Sequence, residues 1–228
     1  MNVYFLVEGK KTEYKVYPAW LSLLVPSLIK VRLTHEVNKH NYCLFSAEGY
    51  PSIIYDHIPN AVKDVNNHGS YDYLVVCLDA DEETVESRIE EVNNFLKQEK
   101  IRLKNTKLVI IIQNRCIETW FLGNRRLIRN NPESLELRKY LDFYNLIDLD
   151  PELMGVYPGY STHAHFHEAY LKEIFSERNI HYTKRNPGHV LESSYLEQLI
   201  LHTQKEPRHL MTFQTFFNFC NDLKKLLD

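Results

Sequence analysis

The chain has 228 residues, only 7 of them glycine, and a formal net charge of −3 from 27 Lys and Arg against 30 Asp and Glu. The glycines are too dispersed to form G-x-G-x-x-G or G-x-x-x-x-G-K-[ST], the two common phosphate-binding loops. A Rossmann dinucleotide enzyme and a P-loop ATPase are therefore both disfavoured, and the net charge does not by itself indicate nucleic-acid binding.

The sequence also predicts a cytoplasmic protein without a membrane association. Its N-terminus has neither the charged segment nor the long apolar segment of a signal peptide. The uncharged run at residues 19–29 is too short to span a bilayer. The four cysteines are widely spaced and form no C-x-x-C pair, which is typical of buried free thiols in a reducing compartment.

The first 130 residues alternate between apolar strands and amphipathic helices. Strands or extended segments are predicted at residues 3–7, 30–37, 42–46, 71–78 and 108–112. Helices are predicted at residues 12–24, 51–65, 81–97 and 117–122, the first with Pro18 as a candidate kink. Because continuous apolar strands that alternate with helices are typical of buried parallel sheets, we expect an α/β fold with a mostly parallel sheet between helices.

From residue 131 the pattern becomes helical. Helices are predicted at residues 133–144, 165–177, 193–203 and 212–227, and a Pro- and Gly-containing loop at 148–162. We therefore expect two domains: an α/β catalytic domain over residues 1–130 and a mainly helical C-terminal lobe over residues 131–228, packed on it.

Four carboxylates follow strands of the predicted sheet. Glu8 follows the first strand, Asp79 and Asp81 follow the strand ending at residue 78, and Glu118 follows the strand ending at residue 112. Loops after the carboxyl ends of parallel strands share one edge of the sheet, where ligands bind. Because hard oxygen ligands suit Mg²⁺ or Mn²⁺, the four acids predict a divalent metal site.

Each acid also has a structural interpretation. Asp79 and Asp81 could cap a helix beginning near Glu82, and Glu8 could be an exposed loop acid or interact with a helix dipole. Glu13 could support Glu8 from about one helical turn away, although a solvated helix acid is the simpler interpretation. For each acid taken singly, a structural role such as helix capping is at least as good an interpretation as catalysis. The four acids together favour a metal site.

Three motifs resemble the Toprim (topoisomerase–primase) family. They are V-E-G within VEGKKTE at residues 7–13, D-x-D within LDAD at residues 78–81, and RCIETWFL at residues 115–122. The third is similar to an element of Toprim nucleases of the OLD-like and anti-phage-defence groups. The resemblance covers about residues 1–125 and implies a Toprim-like, Rossmann-like fold, with a helical C-terminal lobe that matches no family motif.

The resemblance implies a Mg²⁺-dependent nuclease that cleaves phosphodiester bonds in DNA or RNA, including tRNA. Glu8, Asp79 and Asp81 would hold the principal metal and Glu118 a second one, and Lys184 of YTKRNPG would complete the catalytic set. Such nucleases act in bacterial anti-phage defence beside a separately encoded ABC- or SMC-like ATPase. Homo-oligomerisation, the preferred nucleic acid and the activating signal stay open.

A basic segment lies beside the third acidic motif. Residues 101–130 hold seven cations against one acid, Glu118, a local charge of 7 − 1 = +6. Arg115, Arg125, Arg126 and Arg129 of this segment, with Lys10 and Lys11, are the predicted nucleic-acid contacts. The alternative is that the segment neutralises the acidic helix at residues 81–91.

Two further features have structural interpretations. His163, His165 and His167 lack a recognisable fourth zinc ligand, which favours a polar loop and helix N-terminus over a zinc site. The 15 Tyr and 11 Phe could stack on bases, but most lie at helical spacing and are expected in the core.

Two other functions compete with the nuclease. A non-catalytic Toprim-like subunit would bind a partner protein or nucleic acid without cutting it. A nucleotide-sugar transferase would use D-x-D to hold a metal–diphosphate, but it would have no use for Glu8 or for the basic segment.

Overall fold

The computed structural model describes all 228 residues, and it has an α/β fold built on one five-stranded parallel sheet. The strands are β1 (Asn2–Val7), β2 (Ile29–Lys30), β3 (Asn41–Ser46), β4 (Tyr73–Asp79) and β5 (Lys107–Gln113). Their order across the sheet is β2-β3-β1-β4-β5, so β1 is central and lies beside both β3 and β4. Val7 of β1 pairs with Ser46 of β3 and with Cys77 of β4. The predicted Rossmann-like parallel sheet is confirmed.

Eight α-helices connect and follow these strands. They are α1 (Glu13–Leu24), α2 (Ile58–His68), α3 (Val85–Gln98), α4 (Ile117–Leu122), α5 (Leu135–Phe143), α6 (His163–Ser176), α7 (Ser193–Lys205) and α8 (Met211–Leu227). Short 3-10 turns add Thr34–Glu36, Arg125–Leu127, Pro151–Leu153 and Gly188–Leu191, and a π-type turn at Ile53–His57 leads into α2. None of the helices combines the length and apolar character needed to cross a membrane.

Helix α1 continues through Pro18, and Tyr17 and Trp20 on either side of it are buried. Two local predictions differ from the structure. The extended segment expected at residues 30–37 is a two-residue strand followed by a 3-10 turn. Helix α3 begins at Val85, not near Glu82, because Asp81 is left-handed, with φ +53°, and no α-helix continues through such a residue.

The chain divides into two compact units, and the division differs from the predicted boundary at residue 130. The first unit comprises Met1–Leu78, Val85–Ile112 and Thr215–Asp228, and the second comprises Asp79–Thr84 and Gln113–Gln214. Helix α4 therefore belongs with α5, α6 and α7, and most of α8 belongs with the sheet.

Aromatic side chains explain where each unit has its core. In the first unit, Phe216 of α8 packs on Tyr17 and Trp20 of α1, with ring centroids 5.2 and 6.4 Å apart. In the second unit, Phe166 of α6 packs on Tyr140 of α5 at 5.2 Å. These burials confirm that most of the aromatic residues are structural, since large apolar rings dominate core energetics.

Candidate catalytic site

The four predicted acids all lie at or beyond the carboxyl ends of parallel strands. Glu8 directly follows β1, Asp79 is the last residue of β4, Asp81 lies two residues beyond it, and Glu118 is the second residue of α4 after β5. Glu8 belongs to the first unit and the other three acids belong to the second. Their surroundings are therefore given unit by unit.

Glu8 is half-buried and held by backbone groups of the first unit. Its amide donates to the carbonyl of Cys77 at 3.0 Å, which extends the pairing of β1 with β4 by one residue. Its carboxylate Oε1 accepts a hydrogen bond from the amide of Tyr50 at 3.1 Å. This hydrogen bond fixes the direction of the Glu8 carboxylate.

Gly9 lies against the side chain of Glu13. A Cβ at this position would collide with the carboxylate of Glu13, and the φ of Gly9 is not left-handed. Glu13 is only 7% exposed, so its interpretation as a solvated helix acid is wrong. Its buried carboxylate instead lies against the turn that follows Glu8, where it can support that turn.

Arg115 braces the loop that carries Asp79 and Asp81. The amide of Asp81 donates to the carbonyl of Arg115 at 3.0 Å, and Arg115 Nη1 donates to the carbonyls of Asp81 and Glu83, both at 3.1 Å. Asp81 and Arg115 are both left-handed, with φ +53° and +69°, a strained conformation for residues other than glycine. The capping interpretation of the two Asp residues is wrong, because α3 begins only at Val85.

Glu118 is the most enclosed of the four acids, at 1% exposure. The hydroxyl of Tyr182 donates to its Oε1 at 2.8 Å, and Lys184 Nζ lies 3.8 Å from the same oxygen. The ammonium of Lys184 also lies 3.6 Å from Oε2 of Glu168, and the Lys184 side chain is 44% exposed. The structure thus brings Lys184, a residue predicted on the resemblance, directly to Glu118.

The carboxylates around Lys184 decide the charges of the neighbouring groups. Burial alone would lower the pKa of Lys184, but the negative charges of Glu118, Glu168 and Asp79 outweigh it and raise that pKa. Burial, together with Glu118 and Asp79, raises the pKa of the Cys116 thiol well above its usual range. Lys184 is therefore a cation and Cys116 a neutral thiol at any physiological pH.

The predicted nucleic-acid contacts fall into two groups. Three of them form ion pairs: Lys10 with Glu48 at 2.9 Å, Arg125 with Glu206 at 2.5 Å and Arg129 with Glu133 at 2.9 Å. Arg115 binds backbone carbonyls. Lys11 and Arg126 are exposed, and no ion pair involves their side chains. The acids that pair with Arg125 and Arg129 belong to the second unit, as the two arginines do.

The three histidines begin helix α6, as expected for a helix N-terminus. Thr162 caps this helix through the amide of His165 at 3.2 Å. Both the amide and Nδ1 of His163 bind the Glu82 carboxylate, at 2.9 and 2.6 Å. His167 is fully buried, and its Nδ1 lies 2.8 Å from the Thr119 hydroxyl. His163 thereby holds the loop that contains Asp81 from a second side.

The donor set suits a hard divalent cation, but the structure holds no ready-made cage for one. Asp79, Asp81 and Glu118 offer carboxylate oxygens, the ligands that Mg²⁺ and Mn²⁺ prefer. However, nowhere in the 228 residues do three or more His, Cys, Asp or Glu side chains form a group that could hold a metal ion. The metal site stays a prediction.

The sequence interpretation missed Tyr182, Glu168, Glu82 and the bracing role of Arg115. One signal was available for Tyr182, since it lies two residues before Lys184 in the same YTKRNPG segment. The other contacts join segments that no local pattern of the sequence pairs. No protein-family model, curated protein or solved structure matches the chain.

Proposed function

We propose that this chain is a Mg²⁺-dependent, Toprim-type nuclease that cleaves phosphodiester bonds in DNA or RNA. The observation that supports this most is the buried Glu118 carboxylate beside a permanently cationic lysine. The same unit holds Asp79 and Asp81 at the end of a parallel strand. Acids and a cation in one place suit a substrate that is itself an anion and needs charge neutralisation.

The roles follow from charge and placement. Asp79, Asp81 and Glu118 of the second unit are the proposed ligands of the cation, and the Toprim resemblance alone adds Glu8 to this set. Bound Mg²⁺ or Mn²⁺ would supply polarisation of the scissile phosphate and activation of water. Lys184 is placed to bind a phosphate oxygen, and Arg115 and His163 hold the loop of Asp79 and Asp81 in position.

The wider context of the proposal comes from the Toprim resemblance alone. It makes the chain an effector of a bacterial anti-phage defence system that acts in the cytoplasm with a separately encoded ABC- or SMC-like ATPase. Co-expression with an ATPase encoded beside this gene, followed by measurement of cleavage, tests that part separately.

The nuclease proposal is tested by incubating the full chain with supercoiled plasmid or tRNA and Mg²⁺ or Mn²⁺. We expect cleavage by the wild type and by the control E86Q, which alters an exposed acid of α3. We expect a loss of about 100-fold or more in D79N, because a ligand of the proposed cation loses its charge. Undiminished cleavage by D79N would contradict the proposed site.

Direct Mn²⁺ binding, measured by titration calorimetry, gives a result that does not depend on the substrate. Binding by the wild type and E86Q, with loss in D79N, supports the proposed ligands even if an ATPase partner is needed for cleavage. Absence of both binding and cleavage refutes the nuclease.

One observation favours a second function, a non-catalytic Toprim-like subunit that binds a partner protein or nucleic acid. Glu118 is already satisfied by Tyr182 and Lys184, and no three-ligand metal group is formed. This alternative predicts no Mn²⁺ binding but salt-dependent association with nucleic acid or co-purification with a partner protein.

A further inference from the structure

A short turn at residues 182–187 delivers two side chains to Glu118. The amide of Asn186 donates to the carbonyl of Thr183 at 2.9 Å, and the amide of Thr183 donates to the carbonyl of Asn186 at 3.2 Å. Asn186 also donates its amide to the Thr183 hydroxyl at 2.9 Å. This closed turn fixes the spacing between Tyr182, which precedes it, and Lys184, which lies within it.

Tyr182 and Lys184 differ in how freely they can move. Tyr182 is 3% exposed, and its ring packs on Phe121 and Phe175 with centroids 6.3 and 5.8 Å away. Its hydroxyl therefore holds Glu118 in a fixed position. Lys184 is 44% exposed. Its ammonium can leave Glu118 by moving into solvent, whereas the 1% exposed Glu118 cannot follow it.

Lys184 also has an alternative partner. Glu168 of α6 lies 3.6 Å from its ammonium, slightly nearer than Glu118 at 3.8 Å. The second oxygen of Glu168 pairs with Lys172 at 2.6 Å. The charges therefore alternate along Lys172, Glu168, Lys184 and Glu118. Lys184 can leave Glu118 and still keep Glu168 as an anionic neighbour.

From this geometry we propose that Lys184 is an exchangeable internal counter-ion of Glu118. It neutralises the carboxylate when no divalent cation is bound and shifts toward Glu168 when one binds, while Tyr182 keeps the carboxylate in place. The inference depends on the proposed function, since it requires a cation to bind at Glu118. It adds a regulatory property, namely that cation binding competes with an ion pair of the protein itself.

The test compares Mn²⁺ affinity among full-length variants by titration calorimetry. K184M should bind Mn²⁺ about fivefold more tightly, the size expected from losing one partly exposed ion pair. K184R keeps the positive charge and should stay within about twofold of the wild type. The matched control K172M removes an equal charge from the same network but leaves Glu118 alone, so its affinity should also stay within about twofold.

E168Q tests the alternative partner from the opposite direction. It removes the second anion near Lys184, so the ammonium should remain on Glu118 and Mn²⁺ should bind about twofold more weakly. Thermal unfolding followed by circular dichroism checks that every variant is folded. Opposite shifts in K184M and E168Q are a result that a general loss of structure would not produce.

The outcomes separate the inference from the proposed function. Mn²⁺ binding that is unchanged or weaker in K184M overturns the exchange while leaving the nuclease proposal intact. Failure of every variant and of the wild type to bind Mn²⁺ overturns both. Tighter Mn²⁺ binding by K184M, whether or not cleavage survives, supports the counter-ion role.

Discussion

Glu8 and Glu118 occupy equivalent positions in the chain, each just beyond a parallel strand, but their surroundings differ. Glu8 is half-buried in the first unit, and a backbone amide holds it. Glu118 is buried in the second unit, held by a phenol and paired with an ammonium. The strand end determines where an acid lies, and the elements packed around it determine how deeply it is buried and which groups hold it.

The largest expected effect is the difference in stability lost when each of these two acids is removed. E118A leaves the buried Tyr182 hydroxyl without its acceptor and takes from Lys184 one of its two carboxylate partners, so the free energy of unfolding should fall by about 3 kcal/mol. E8A should cost less than E118A, because Glu8 is only half-buried and water can reach the groups that it leaves. Urea denaturation measures the free energy of unfolding of both variants. Equal losses in E118A and E8A would contradict the proposed difference between the two acids.

The next effect is a pH dependence that belongs to the second unit. Burial, His163 and Arg115 lower the pKa of His167 to about 3, so the folded state binds fewer protons than the unfolded state between about pH 3 and 6.5. The contribution of His167 to stability therefore falls as pH falls through this window, by about 2 kcal/mol at pH 5. Urea denaturation between pH 5 and 7 should show that stability falls more steeply with rising pH in H167Q than in the wild type, because the variant lacks this contribution.

Glu152 provides the internal control because its effect has the opposite sign. Burial raises the pKa of this carboxyl to about 7, so stability falls as pH rises from about 4.5 to 7. Between pH 4.5 and 6.5, stability should rise with pH in E152Q and fall with pH in H167Q. In the first unit, by contrast, burial raises the pKa values of Tyr4, Tyr42 and Cys77, which titrate far above neutrality.

A smaller effect on stability is expected when the tyrosines near the two acids lose their hydroxyl groups. Y182F removes the hydroxyl that binds Glu118 and should lower the free energy of unfolding by about 1 kcal/mol. Y50F leaves the amide that binds Glu8 untouched and removes hydroxyl contacts to Glu91 and Arg88 near the surface, so it should cost less than Y182F. Equal losses on chemical denaturation would show that the Tyr182 contact does not hold Glu118.

The smallest effect concerns the cations of both units. Arg126 and Lys11 are exposed without ion pairs, so R126A or K11A should each weaken nucleic-acid binding about two- to threefold and reduce its salt dependence by one charge. R129A, which removes a cation already paired with Glu133 and Glu177, should have little effect. Fluorescence anisotropy at several salt concentrations measures this, and a larger effect from R129A would reverse the assignment.

The elements that the sequence predicted well are those governed by local pattern. The runs that became β4 and β5 are β-branched and apolar, and such residues favour a sheet buried on both faces. Helix α4 spans Ile117–Leu122, as predicted. The predicted start of α3 was wrong, because Asp81 is left-handed and its amide donates to the carbonyl of Arg115 after β5.

In the candidate site, too, some features follow from local sequence pattern and others depend on contacts between distant residues. The positions of Glu8, Asp79, Asp81 and Glu118 beyond strand ends follow from the order of strands and helices, which is a local property repeated along the chain. The phenol that holds Glu118 comes from 64 residues away, and the link between Glu82 and His163 spans 81 residues. No periodicity of the sequence encodes these contacts.

By itself, the sequence determined the parallel α/β fold and the acids that follow its strands, since the apolar pattern of each element is legible within a few residues. The tertiary structure decided the division into units, the burial of Glu13 and Glu118, and the pairing of Lys184 with two carboxylates. Burial and charge pairing depend on which distant helices pack together, and packing is a property of the whole folded chain.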